Sequence, residues 1–213
     1  PDVKNKDLIK DSYKKELIKK ARIEIKKREY DIAIEDCKRS MDLDTNLVEA
    51  YVCTGIAYYE KKNYQMAIDS YREAVELDNS HVESLHSIGL AYEHLNDLEN
   101  AKHAYEKTLE INPKYMKAYY NLANIYKQSE NLDKAIEYYI KTTELEPDFA
   151  IAWFFLGSTY FDKKDYNSAI EYLEKSIRLD PNLANEVNPL IKDLKGIIDK
   201  LQQALSLYFL DKR

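Results

Sequence analysis

The sequence predicts an all-α protein made of repeated helical hairpins, and three observations support this prediction. Only 4 Gly and 5 Pro occur among 213 residues, of which 33% are charged, so helix breakers are few. Small residues recur at a fixed step of 34 residues along most of the chain. Within each step, two apolar-periodic stretches of about helix length are separated by a short turn.

The 34-residue step is seen in several columns of similar residues. The alanine column consists of Ala33, Ala67, Ala101, Ala135 and Ala169. A second small-residue column consists of Ala21, Gly55, Gly89, Ala123 and Gly157. An aromatic column consists of Tyr58, Tyr92, Tyr126 and Tyr160. Because a larger side chain would push two helix axes apart, the small columns predict where helices approach closely.

The third step shows how each unit is divided. Val82–Leu95 and Leu98–Ile111 have helical apolar spacing, and Asn96–Asp97 forms the turn signal between them. Each of these units is predicted to end at a proline, because proline disfavours helix in the residue before it. Those prolines are Pro113, Pro147 and Pro181.

Both ends of the array depart from the repeat. The first unit has Lys20 and Glu24 where the other units have apolar residues and Tyr, as expected of a terminal repeat with one face in water. Residues 184–213 carry a helix start signal at Asn188–Pro189, followed by apolar residues at helical spacing. We expect a capping helix that packs on the last hairpin. Its apolar stripe runs on to residues 207–210, so self-association or a downstream segment remains an alternative.

The columns resemble the tetratricopeptide repeat (TPR) family, in which an aromatic or apolar residue precedes the second small column by four positions. Here that residue is Tyr51, Leu85, Tyr119 or Trp153. The resemblance covers five units, 14–47, 48–81, 82–115, 116–149 and 150–183, preceded by an N-terminal extension at 1–13 that leads into the first helix. It implies a right-handed superhelical solenoid of five helix-turn-helix hairpins closed by the C-terminal helix. It also implies that the first helices line a concave groove that binds a peptide or helix of a partner.

The groove residues that the resemblance implies are basic at one end and aromatic at the other. They are Lys15, Lys19, Arg22, Lys26, Ile56, Tyr59, His86, Leu90, Tyr120, Asn121, Asn124, Phe154, Phe155, Ser158 and Phe161. The four cations are spaced 4, 3 and 4 residues apart, which places them on one helical stripe. Alternatively, that stripe is a solvated face partly neutralised by Glu49 and Glu60, and the C-terminal helix covers the aromatic end.

Composition and motifs argue against several other classes. The net charge of −6 gives no general attraction to nucleic acid or anionic lipid, and the conspicuous uncharged run at 149–161 is too short to cross a bilayer. Cys37 and Cys53 lack zinc-site spacing and are expected to be reduced and semi-buried. His86 and His94 are eight residues apart, too far to share an ion, and are expected to be exposed polar residues. No phosphate loop or nucleophile motif occurs, so we expect no cofactor, metal or enzyme activity.

The sequence therefore predicts a non-catalytic scaffold that binds a protein or peptide segment, with no nucleic acid or membrane insertion. Two alternatives stay open: a substrate-recruiting domain of a larger enzyme, and a structural module that self-associates through its C-terminal helix. The sequence does not identify the compartment or the partner.

Overall fold

A computed structural model describes residues 3–210 of the chain, and the side chains of residues 7–208. Within that range it contains helices and no strands, which confirms the predicted all-α class. The α-helices are α1 (Val3–Lys26), α2 (Tyr30–Leu43), α3 (Val48–Glu60), α4 (Tyr64–Leu77), α5 (Val82–His94), α6 (Leu98–Ile111), α7 (Met116–Gln128), α8 (Leu132–Leu145), α9 (Ala150–Asp162), α10 (Tyr166–Leu179) and α11 (Ala184–Leu210). A 3-10 helix, Pro181–Leu183, leads into α11.

The helices form two compact units, one ending at Pro113 and the other beginning at Lys114. The first unit contains the hairpins α1–α2, α3–α4 and α5–α6, and the second contains α7–α8, α9–α10 and α11. Within each unit, the second helix of one hairpin also packs against the first helix of the next. The exact bounds of the five repeat units stay a prediction, as does the extension at 1–13, of which residues 1–2 lie outside the described range.

The small columns mark close helix contacts, as predicted. Every member of the alanine column is fully buried. In the second column, a Cβ added at Gly55 would lie 2.6 Å from a ring carbon of Tyr71 on the paired helix α4. The corresponding Gly89 is covered in the same way by the Tyr105 ring. The glycines therefore make room for tyrosine rings between the two helices of a hairpin.

Every hairpin turn contains a residue with positive φ, again at a step of 34. These residues are Arg28, Lys62, Asn96, Glu130 and Lys164, with φ between 58° and 66°. In four of the turns the next residue, an Asn or Asp, caps the second helix by accepting a hydrogen bond from the backbone N–H three residues on. The first turn has Glu29 at that position and lacks this side-chain bond.

The first hairpin replaces apolar contacts by a buried charge cluster. Lys20 Nζ lies 2.6 Å from Asp36 Oδ2 and 3.3 Å from Glu24 Oε1, and both carboxylates are buried. The same hairpin contains Cys37, which contacts Cys53 of α3. Both thiols are free and fully buried rather than semi-buried, because α2 packs directly on α3. A hydrogen bond to Cys53, together with burial, raises the pKa of Cys37.

Helix α11 caps the fifth hairpin with its first half only. Val187, Ile191 and Leu194 are buried in one cluster with Ala169 and Leu173 of α10. The predicted start at Asn188–Pro189 is wrong, because Asp180 caps the preceding 3-10 turn and α11 already begins at Ala184. Pro189 is the sixth residue of α11, so the backbone hydrogen bond that it removes lies near the N-terminal end of the helix. From residue 199 to residue 208 every side chain is exposed. Phe209 and Leu210, the last two residues of the predicted apolar stripe, lie outside the described side chains.

Candidate partner-binding surfaces

The first helices of the N-terminal unit form a groove between α1 and the start of α3. Its volume is about 480 Å³. The lining residues are Lys15, Ile18, Lys19, Arg22, Ile23, Lys26, Leu47 and Glu49. The structure thus brings all four cations of the predicted stripe to one surface, over an apolar floor.

These four cations differ from their neighbours on the same helix. Lys14 pairs with Asp44 at 2.6 Å and Lys20 pairs with Asp36 at 2.6 Å. The four groove cations are exposed, and none of them makes a hydrogen bond or ion pair through its side chain with a described residue. Glu49 is the one carboxylate among the lining residues, and Glu60 is not among them. The groove is therefore positively charged although the chain carries a net charge of −6.

The middle of the predicted surface, on α3 and α5, is largely occupied by contacts within the protein. Tyr59 contacts the rings of Tyr64 and His94 edge-on, each at 5.4 Å between centroids. Ile56 and Leu90 are half-buried. His86 is only 8% exposed, so the expectation of an exposed histidine is wrong. Its ring lies 5.4 Å from that of Tyr105, which reaches this position because Gly89 leaves room for it.

The same hairpin contains a half-buried carboxyl group, that of Glu93. Tyr105 Oη donates a hydrogen bond of 2.6 Å to Glu93 Oε1. Burial raises the pKa of the Glu93 carboxyl, and the bond from Tyr105 opposes that rise. Only the pairing of α5 with α6 brings these two residues together, since they are twelve positions apart in sequence.

The C-terminal unit holds the predicted aromatic end on α7 and α9. Phe155 stacks on Tyr139 at 6.1 Å and contacts Tyr120 edge-on at 6.0 Å. Tyr139 Oη in turn donates to Asn124 Oδ1 at 2.5 Å. Phe154 packs against the α10–α11 cluster, and Asn121 is half-buried. Most of this aromatic surface therefore packs within the unit.

Two predicted residues of α9 keep access to solvent. Phe161 is 45% exposed. Ser158 is half-buried and its Oγ accepts a hydrogen bond of 2.6 Å from Lys127 Nζ. Lys127 also lies 3.2 Å from Asp162 Oδ2. Ser158 and Phe161 form part of a second cavity, of about 420 Å³, together with residues of α10 and α11.

Among the residues that the structure describes, no three His, Cys, Asp or Glu side chains are placed to hold a metal ion. None of the helices described is both long and apolar enough to cross a membrane.

Models of known protein families match the repeated part of the chain. Tetratricopeptide repeat models match residues 120–184 and 82–115, and a TPR repeat model matches residues 55–96. Together these matches span more than half of the chain. No curated protein sequence shows significant similarity to it.

Solved structures share the fold. A crystal structure of MamA is 28% identical, with a TM-score of 0.70 over 78% of this chain and 96% of that one. YrrB, described as a TPR protein with an unusual peptide-binding site, is 24% identical, with a TM-score of 0.64 over 78% of this chain and 85% of that one. PilF of Pseudomonas aeruginosa is 15% identical, with a TM-score of 0.71 over 96% and 99% of the two chains. The repeat matches, the close-packed small columns and the stacked hairpins together show that the chain belongs to the tetratricopeptide repeat family.

Proposed function

We propose that this TPR protein is a non-catalytic interaction scaffold that binds an acidic, amphipathic segment of a partner protein along its first helices. Family membership supports a role in protein–protein interaction. The observation that supports the finer proposal is the groove beside α1, where Lys15, Lys19, Arg22 and Lys26 surround an apolar floor without bound counter-charges.

The groove favours a segment with two kinds of side chain. Ile23 is 47% exposed beside the buried Ile18, so apolar surface is available to a partner's aliphatic residues. Four cations against the single carboxylate of Glu49 favour acidic residues on the edges of the same segment. Exposed ion pairs contribute only about 0.2–1 kcal/mol each, so apolar contact supplies most of the affinity and the charges chiefly accelerate association. A short segment is expected to bind with roughly micromolar affinity.

A synthetic amphipathic helix tests the proposal without knowledge of the natural partner. One peptide carries Glu beside its apolar face, and the matched peptide carries Gln at the same positions. The Lys19→Glu/Arg22→Glu double variant should slow association of the Glu peptide by roughly tenfold or more and remove its salt dependence. The Lys38→Glu/Lys62→Glu control makes the same charge change at exposed positions outside the groove.

Surface plasmon resonance at two salt concentrations gives the readout. The proposal requires that the Glu peptide binds better than the Gln peptide and that the groove variant is affected more than the control. If the two double variants had equal effects, the change in net charge alone would explain the result. That outcome would contradict specific binding in the groove.

A second role, self-association, is favoured by the distal half of α11. Leu201, Leu205, Leu207 and Tyr208 are each 51–66% exposed, and they extend the apolar character of the half that is buried on α10. Sedimentation of the full chain should then show a dimer that Leu201→Glu/Leu205→Glu dissociates. A monomer at all concentrations would rule this role out. The further alternative, recruitment of substrates to an enzyme on a longer chain, stays a hypothesis.

A further inference from the structure

The cavity beside the C-terminal helix has apolar walls supplied by three helices. It encloses about 420 Å³ and is lined by Ser158, Phe161, Asp162, Leu173, Leu190, Asp193, Leu194 and Ile197. Leu173 and Leu194 are each 2% exposed and form the floor, whereas Phe161 and Leu190 are 45% and 46% exposed and form the upper walls. The cavity therefore offers unburied apolar surface large enough for a bulky aliphatic or aromatic side chain.

The charge at the mouth of the cavity is negative. Asp162 is compensated by Lys127, whose Nζ lies 3.2 Å from Oδ2. Asp193 is exposed and makes no hydrogen bond or ion pair with any described residue. Lys192 directly precedes Asp193, but adjacent residues of a helix do not face each other and the two side chains form no ion pair. Lys195, two positions after Asp193, pairs with Glu174 at 3.0 Å. One carboxylate at the mouth is thus left without a counter-charge among the described residues.

We propose that this cavity binds a partner segment in which Lys or Arg stands directly beside a bulky apolar residue. The apolar side chain fills the cavity against Phe161 and Leu190, and the neighbouring cation lies over Asp193. This inference extends the proposed role as a scaffold to a second surface with the opposite charge preference to the groove of α1. It gives α11 a function in recognition in addition to its packing on α10.

The competing occupant is a second copy of this chain. The exposed apolar stripe of α11 lies in residues 201–208, and Lys200 directly precedes it. Charge complementarity with Asp193 favours a segment that combines a cation with an apolar residue. The measurement without peptide described below separates such a segment of another protein from a second copy.

Three short acetylated peptides test this proposal on the full chain. The first is Gly-Ser-Arg-Leu-Leu-Ser-Gly, and in the others Gln or Glu replaces Arg. Methyl NMR signals of Leu190, Leu194 and Ile197 locate the bound peptide, and their titration gives the affinity. The expected order is Arg, then Gln, then Glu. Asp193→Asn should weaken the Arg peptide by about two- to fivefold and leave the Gln peptide unchanged.

Asp199→Asn is the matched control, because Asp199 is an exposed carboxylate of the same helix outside the cavity. It should leave all three affinities unchanged. Equal affinities for the three peptides, equal effects of the two variants, or no shift of the cavity methyl signals would each overturn the proposal. Shifts of those signals on dilution without peptide would assign the cavity to a second copy and overturn it as well.

The outcome is separable from that of the proposed function. If the acidic helix binds beside α1 and the Arg peptide does not bind beside α11, only the present inference fails. If the Arg peptide binds and the acidic helix does not, the groove of α1 is wrong and the cavity stands.

Discussion

At the scale of single residues, the small columns set the distance between the paired helices. Gly55 and Gly89 face Tyr71 and Tyr105, and Gly157 faces Leu173 with a 2.9 Å separation between an added Cβ and Cγ. Each glycine lowers the helix propensity of its own helix but makes room for a large side chain of the paired helix to be buried. That exchange is favourable because a buried aromatic ring stabilises the fold by more than the roughly 1 kcal/mol that glycine costs in a helix.

Alanine should therefore destabilise the protein at a glycine of this column and stabilise it at Gly196, a helical glycine outside the column. Gly55→Ala should lower the free energy of unfolding by about 1–3 kcal/mol, because the new methyl group would lie 2.6 Å from the Tyr71 ring. Gly196→Ala is the control, since no atom lies within 4 Å of its added Cβ, and it should raise that free energy by about 0.5–1 kcal/mol. Urea unfolding of both variants gives the comparison. A neutral Gly55→Ala would contradict close packing at this column.

The Glu93 carboxyl gives the hairpin α5–α6 a pH dependence. Because burial raises the pKa of Glu93 in the folded state, the folded protein holds this proton more tightly than the unfolded chain does. Ionisation of Glu93 therefore costs stability as the pH rises above about 4.5, the ordinary value for glutamate. Glu93→Gln, which can still accept the bond from Tyr105, should melt at a higher temperature than the wild type at neutral pH.

Melting curves at several pH values test the sign of this effect. The advantage of Glu93→Gln should shrink toward pH 4, where the carboxyl is protonated in both folded and unfolded states. A variant that is less stable than the wild type at neutral pH would show that the Tyr105 hydrogen bond outweighs burial.

At the scale of helices and turns, most of the fold follows from the sequence. The alanine and glycine columns predict the contacts, and the prolines at 113, 147 and 181 predict the ends of α6, α8 and α10 to within two residues. The left-handed turn residues are not predictable in the same way. Only Asn96 among them belongs to a type that favours this conformation, and the other four are Arg, Lys or Glu. The packing of each hairpin fixes the backbone conformation of these turn residues, so the residue types themselves do not indicate it.

The start of α11 shows the limit of local signals in another form. Asn188–Pro189 has the residue types of a helix start, but the 3-10 turn capped by Asp180 begins the helical segment earlier. Tertiary contact explains the difference, because the buried Val187 precedes the proline and packs on α10. A sequence pattern alone does not show which helix face will be covered.

Truncation of α11 tests its two halves separately. A chain ending at Leu183 loses Val187, Ile191 and Leu194, exposes Leu173 and Ala169, and should be less stable and less soluble. A chain ending at Ile198 keeps these contacts and should melt close to the wild-type temperature, because the side chains of residues 199–208 are exposed. Thermal melts and solubility of both truncations give the readout. Unchanged melting of the shorter chain would contradict the capping role.

At the scale of the whole molecule, the charge distribution matters more than the total. The net charge of −6 argues against general binding to polyanions, yet four unpaired cations are gathered beside α1. The spacing of Lys15, Lys19, Arg22 and Lys26 was enough to predict that they share a face, because helical periodicity determines it. The sequence did not predict that Phe155 and His86 pack inside the protein, or that a cavity lies beside α11. Each of these features depends on which neighbouring helix covers the residue.

The most direct test of the account is to map where an acidic amphipathic peptide binds. Methyl NMR of the full chain during titration reports on each face, because Ile18, Ile23 and Leu47 lie in the groove whereas Ile32 is exposed on α2 outside it. The account predicts saturable shifts of the three groove signals, an unchanged Ile32 signal, and roughly tenfold or more weaker binding in Lys19→Glu/Arg22→Glu, seen as shifts that need more peptide to saturate. Shifts centred on Ile32, or groove signals that do not move while the peptide binds, would contradict the assignment of the first helices as the binding surface.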